Sequence, residues 1–147
     1  LLSVIGYGLF FQNFCFGKLG NLNDERAIYI GFYGLFFVTF ISLISSLIVP
    51  HNFLHNIIMH LIGIMFFIFI KIKDKKKYLN LIFLMSPVLI SALFISKTND
   101  DLSYYHLPFT KYLTEHKIIF GMGQLNHGYN LLSSLFFLNS TFYLPFI

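Results

Sequence analysis

Two carboxylates stand side by side at Asp100 and Asp101, directly after a long apolar run. Neighbouring carboxylates repel, so one of them holds its proton to a higher pH than an isolated aspartate. At the junction of lipid and water, such a group suits a general base that takes a proton from an acceptor hydroxyl. It also suits an oxygen ligand for a divalent metal ion, or simply a solvated helix cap. Behind the pair the chain reads Leu102-Ser103-Tyr104-Tyr105-His106-Leu107-Pro108-Phe109-Thr110-Lys111-Tyr112-Leu113. Tyr105, Phe109, Tyr112 and Leu113 recur at i, i+4, i+7 and i+8, one stripe of a helix. Asp101 or Ser103 is the expected N-cap, and Pro108 falls in the first turn, where a missing N–H costs little. The expected element is an amphipathic juxtamembrane helix with its Tyr and Phe side chains dipping into the membrane interface.

Other residues with chemical potential are weaker. His51 and His55 are four apart, a spacing that puts two imidazoles on one helical face, and His60 follows. No acidic or Cys neighbour completes a ligand set, and Pro50 blurs the helix start. Hydrogen bonding between helices is therefore the expected role. Gly121-Met122-Gly123 lacks the third glycine and the strand-turn-helix setting of a dinucleotide loop, and reads as a flexible turn. Cys15 is the sole cysteine, so no internal disulfide exists, and its apolar surroundings suit a buried filler.

The elements that must position these residues follow from composition. Of 147 residues, 56% are hydrophobic and only 11% charged, with a mean hydropathy of +0.73. Soluble domains carry about a quarter charged residues, so an ordinary soluble globule is not expected. Apolar runs close to the length that crosses ~30 Å of hydrocarbon cover 1–16, 27–49, 53–72, 78–96 and 131–147. The expected fold is all-α: a polytopic transmembrane helical bundle of about four to five spans with one juxtamembrane helix. Pro87 is expected to kink the fourth span. Gly31, Gly34, Ser42, Ser45 and Ser46 on the second are small enough to let another helix approach.

The dense lysine cluster at Lys71–Lys77 puts that loop in the cytoplasm by the positive-inside rule. Alternation then places Gly17–Arg26 inside, and both Pro50–Asn56 and the Lys97–Asn130 loop outside. A single basic loop tied to two spans suits anionic lipid, not nucleic acid. The chain opens on Leu1 and closes on Phe146-Ile147, both within apolar runs, so it reads as the N-terminal part of a longer polytopic protein.

The run Asp100-Asp101-Leu102-Ser103-Tyr104-Tyr105-His106, followed by Lys111-Tyr112-Leu113, resembles the first large outer loop of the GT-C superfamily of membrane glycosyltransferases. There an acidic pair follows a transmembrane helix and opens a juxtamembrane helix. The likeness is closer to a large group of bacterial polytopic proteins of the same general type. These continue with a turn like Gly121-Met122-Gly123-Gln124-Leu125-Asn126-His127-Gly128 and a start like Asn130-Leu131-Leu132-Ser133-Ser134. The resemblance covers roughly residues 98–140. It implies a sugar transferred from a polyprenyl-phosphate donor at the outer face of the bacterial cytoplasmic membrane. Asp100 matches the base that activates the acceptor. Asp101 matches a second position where the mannosyltransferases carry Glu. Tyr105, His106, Asn126 and His127 are the candidate substrate contacts. His106 and His127 are chemically able to hold a divalent metal or the donor phosphate. No cofactor is otherwise implied.

The rival is a non-catalytic polytopic membrane protein, a transport or envelope-assembly subunit. Transporters place ionisable groups near the bilayer midplane. Here the spans are almost free of charge, with His60 alone well inside one, and the acidic residues gather at the outer end.

Overall fold

A computed structural model describes residues 1–17, 24–70, 102–124, 127–130 and 133–145, with positions 76, 79, 80, 82, 83, 86, 87 and 91. The described residues are helical, with five α-helices and no strand. These are α1 (Leu2–Phe16), α2 (Asp24–Ser46), α3 (Phe53–Phe69), α4 (Leu107–Glu115) and α5 (Ser134–Thr141). A π-helical turn, Leu102–His106, leads into α4. Two 3₁₀ turns, Met122–Gln124 and His127–Asn130, lie between α4 and α5.

The first three helices fall where apolar runs of near-spanning length were expected. α2 starts at Asp24 instead of Ala27, since acidic residues favour the positive end of a helix. It ends at Ser46, before Pro50 can break it. Asn52 then caps α3, its side-chain oxygen accepting from the His55 N–H at 2.9 Å. Within α2, Tyr29–Ser46 is long and apolar enough to cross a membrane, at a mean hydropathy of 1.7. α1 and α3, of 15 and 17 residues, are shorter apolar helices. The expected fourth span at 78–96, with Pro87, falls largely outside the described residues, as does the lysine cluster apart from Lys76.

α1 packs on both neighbours through glycine. A Cβ at Gly6 would collide with the Gly63 carbonyl of α3; one at Gly8 or Gly34 would collide with the Ile30 or Val4 carbonyl across the α1–α2 contact. These pairings run α1 antiparallel to α2 and parallel to α3. Backbones this close are the geometry of small-residue helix crossings in lipid. Gly34 serves such a crossing, whereas Gly31 faces open space. Side chains complete the seam. The Tyr7 hydroxyl donates to the Met59 carbonyl at 2.7 Å, and Phe10 stacks on Phe66 with centroids 4.4 Å apart.

The outward faces are apolar. Phe32, Phe36 and Phe40 on α2, and Leu54, Leu61 and Met65 on α3, each leave half or more of their surface open. The interior, by contrast, holds Ser42, His51, Asn56, Ser140 and Thr141 with no exposed surface at all.

Two expectations change in the second half. The run 131–147 does not form one continuous helix. α5 has eight residues, about 12 Å of rise, far short of a bilayer. Ser140 and Thr141 return their hydroxyls to the Phe137 carbonyl at 2.9 and 3.0 Å, and the chain turns at Phe142. The stripe of α4 is also not left open for lipid. Phe109 and Leu113 are fully buried in a cluster with Phe136 and Phe137 of α5, Ile118 and Met122, and Tyr105 and Tyr112 pack on its edge. Pro108 does sit in the first turn of α4. Ser103, however, lies within the π-helical turn and does not cap α4, and Asp101 is outside the described residues.

Candidate functional site

The six candidate residues divide. Asp100, Asp101 and Asn126 lie outside the described residues. Tyr105, His106 and His127 are described, and the fold brings their two loop motifs together. The Tyr105 ring lies so close over Gly128 that a Cβ there would stand 2.7 Å from it. His106 stacks on Tyr105 at 4.3 Å, and both rings meet Phe136 edge-on, at 5.0 and 6.3 Å. His127, beside Gly128, is exposed, and its Nδ1 stands 3.4 Å from the Asn130 amide nitrogen. Phe136 of α5 is thus the floor beneath Tyr105 and His106, and Tyr105 in turn covers Gly128.

The turn itself is built by two glycines. Gly121 has φ +91, a conformation that side chains with a Cβ rarely adopt, and Gly123 is pressed by the Asn130 side chain. The turn encloses a pocket of about 170 Å³ lined mainly by Phe109, Ile118, Phe120, Met122, Tyr129 and Asn130. Among the described residues, no three His, Cys, Asp or Glu side chains gather into a metal site.

A second polar assembly lies beneath this floor, where α5 meets α2 and α3. His51 stands before the cap of α3, so the expected shared helical face does not exist. Its ring still stacks flat on His55, 4.7 Å apart at an interplanar angle of 5°. Ser140 donates its hydroxyl to Phe137, so its oxygen accepts from His51 Nδ1–H at 2.6 Å. That tautomer leaves Nε2 to accept from the Ser45 hydroxyl at 2.9 Å, a proton for which the Ser42 carbonyl at 3.1 Å competes. Both ring nitrogens are spent on protein, which removes His51 as a metal ligand. Asn56 donates its amide to three carbonyls, those of His51, Ser140 and Tyr143, at 2.9, 2.8 and 2.9 Å. Ser42 and Thr141 pair their hydroxyls at 2.7 Å. His60 reaches Ser3 of α1 and the Thr141 carbonyl, each at 3.2 Å.

Asn56, Ser140 and Thr141 escaped the sequence reading. The available signal was Asn139-Ser140-Thr141, a polar run inside a stretch read as apolar. Two backbone bonds tie the same region to α4 and the strand of chain after it. The His51 N–H donates to the Leu113 carbonyl at 2.8 Å, and the Ile118 N–H to the Ser46 carbonyl at 2.9 Å. The 47–52 connection and the 107–118 segment therefore share one end of the helix pair.

Burial above all, with the adjacent His55, pulls the His51 imidazole down to about 4 from its usual 6.5, opposed by a hydrogen bond to the Ser42 backbone. The unfolded chain binds that proton first. Stability from neutral His51 is therefore complete above pH 6.5 and drains away as pH falls towards 4, by about 3 kcal/mol in all. Thermal unfolding in detergent between pH 7.5 and 4.5 should show this decline. His51→Phe should unfold more easily at every pH and flatten the decline; an unchanged slope would contradict it.

The chain belongs to the family described as Domain of unknown function (DUF8201), whose model matches residues 1–147. No curated protein and no solved structure matches it.

Proposed function

We propose that this chain is part of a polytopic membrane glycosyltransferase of the GT-C type, which takes sugar from a polyprenyl-phosphate donor at the outer face of a bacterial cytoplasmic membrane. The observation that carries the reading is the packing of Tyr105 over Gly128, which brings the two loop motifs together just after the acidic pair in sequence. A membrane setting is supported by the apolar outer faces of α2 and α3 and by the membrane-length apolar stretch Tyr29–Ser46. In that setting the spans are the apolar runs 1–16, 27–49, 53–72 and 78–96, with the Lys71–Lys77 loop cytoplasmic and 97–130 outside.

Asp100 takes the proton from the acceptor hydroxyl. The freed oxygen attacks the anomeric carbon from the face opposite the donor phosphate, forming the new glycosidic bond with inversion. The old carbon–oxygen bond breaks, and its electron pair leaves with the polyprenyl phosphate. Tyr105, His106, Asn126 and His127 contact the substrates, and Asp101 tunes the basicity of Asp100 by charge repulsion. The test is sugar transfer by the whole protein in membranes. Asp100→Asn should insert normally and lose transfer; retained wild-type transfer would refute the proposal.

One observation favours a non-catalytic membrane subunit instead. The pocket beside the motifs, at about 170 Å³, is smaller than the ~300 Å³ from which small-molecule sites usually begin. A whole protein that transfers no sugar, with or without Asp100, would decide for that reading.

A further inference from the structure

At the end of the helix pair away from His51, α1 and α2 enclose a second pocket, of about 380 Å³, that involves none of the residues above. It is lined by Gln12 and Phe16 of α1 and Tyr29 and Tyr33 of α2. Gln12 sits deep in the seam, 92% buried, and its Oε1 has no hydrogen-bond partner. Burying an amide atom without a partner costs about 1–3 kcal/mol, and a helix facing lipid has no structural need for one. Around Gln12 stand aromatic rings: Phe16 lies 5.8 Å from Tyr33, and Tyr33 lies 6.4 Å from Tyr29. The volume is within the range of small-molecule sites, ~300–1,000 Å³.

We propose that this pocket binds a neutral polyhydroxylated ring, a sugar or inositol. The chemistry selects it. A carboxamide presents both a donor and an acceptor, which pair with vicinal hydroxyls. Tyrosine hydroxyls extend the same pattern, and aromatic faces accept the C–H side of such a ring. The described lining residues, Gln12, Phe16, Tyr29 and Tyr33, offer uncharged donors, acceptors and aromatic faces. The pocket lies at the level of Tyr29, where the membrane-length apolar stretch of α2 begins. A ring reaching it can come free from solution or as the headgroup of a lipid. The site stands apart from the outer-loop chemistry and survives the failure of that reading.

The whole protein in phosphatidylcholine nanodiscs tests it by equilibrium binding. The free-ring probes are radiolabelled methyl glucoside, methyl galactoside and myo-inositol. The lipid arm uses nanodiscs doped with glucosyl-diacylglycerol or phosphatidylinositol, with retention read by native mass spectrometry. Saturable binding of at least one probe is expected. It should weaken about tenfold in Gln12→Leu, the effect of one lost buried hydrogen bond, and less in Tyr33→Phe. Gln12→Leu is also expected to melt no lower than wild type, since it removes an unpaired polar atom, so lost binding would not reflect misfolding. Binding in the free arm identifies a soluble ring, and binding in the lipid arm alone a headgroup. No saturable binding in either arm, or equal binding by Gln12→Leu, overturns the proposal.

Discussion

Gly63→Leu should leave no native three-helix assembly. Gly63 faces Ser3 and Tyr7 of α1, and its carbonyl lies where a Cβ on Gly6 would have to go. Crowding in a core that can relax costs typically 1–3 kcal/mol. Here the obstacle is partly backbone, and rotamer changes cannot clear it. To admit a leucine, α1 must move off α3. It then gives up the Tyr7 bond to Met59, the Phe10–Phe66 stack and the Ser3–His60 contact. Since whole domains hold only ~5–15 kcal/mol, those losses exhaust much of it. Thermal unfolding in detergent, with protease protection of α1, is the measurement. Gly31→Leu is the control: the same substitution on a helix face that meets open space, expected to stay within about 0.5 kcal/mol of wild type. If both variants melt alike, the glycine seam does not hold the helices together.

The second large effect belongs to Asn56→Leu, a change that nearly preserves volume. The lost amide has two N–H groups, shared among three carbonyls. Leaving buried carbonyls unpaired costs about 1–3 kcal/mol each, so a loss of about 2–6 kcal/mol is expected. Its location distinguishes it from the glycine variant. Two of the three carbonyls, Ser140 and Tyr143, belong to α5 and the turn after it, so α5 should come loose while α1–α3 stays packed. Hydrogen exchange should rise across 134–142 and remain slow over 30–40. Uniform protection in both regions would contradict this, and uniform loss would mean that α5 holds the whole bundle.

Helices α1 to α3 were legible because a run of apolar residues, bounded by Pro50 and Asn52, is a local property. α5 was misread because hydropathy averages over a window. Phe136, Phe137 and Leu138 outweigh Ser140 and Thr141, although those two side chains decide how the segment is used. The seat of α5 was hidden for a different reason. His51 meets Ser140 across 89 residues and Ser42 meets Thr141 across 99, and no spacing rule reaches so far. The stripe of α4 was correct as a stripe. Its partner could not be read from it, because lipid and Phe136 are equally apolar. Of the candidate site, the approach of Tyr105 and His106 to the turn at Gly128 adds geometry that the motif spacing did not contain. The lone Gln12 drew no notice, since its burial depends on α2 as much as on α1.

The position of α5 also has a consequence for biogenesis. The ribosome delivers Ser42, His51, Asn56 and His60 long before Ser140 and Thr141, the groups that complete their hydrogen bonds. In the proposed membrane setting, the nascent hairpin during that interval carries a row of unmatched polar groups into an environment where they find few substitutes. Release of α2 and α3 from the insertion machinery before residue 141 emerges would leave them vulnerable to quality-control proteolysis. Chains arrested just short of α5 should therefore be short-lived in the cell, and chains arrested just beyond it durable.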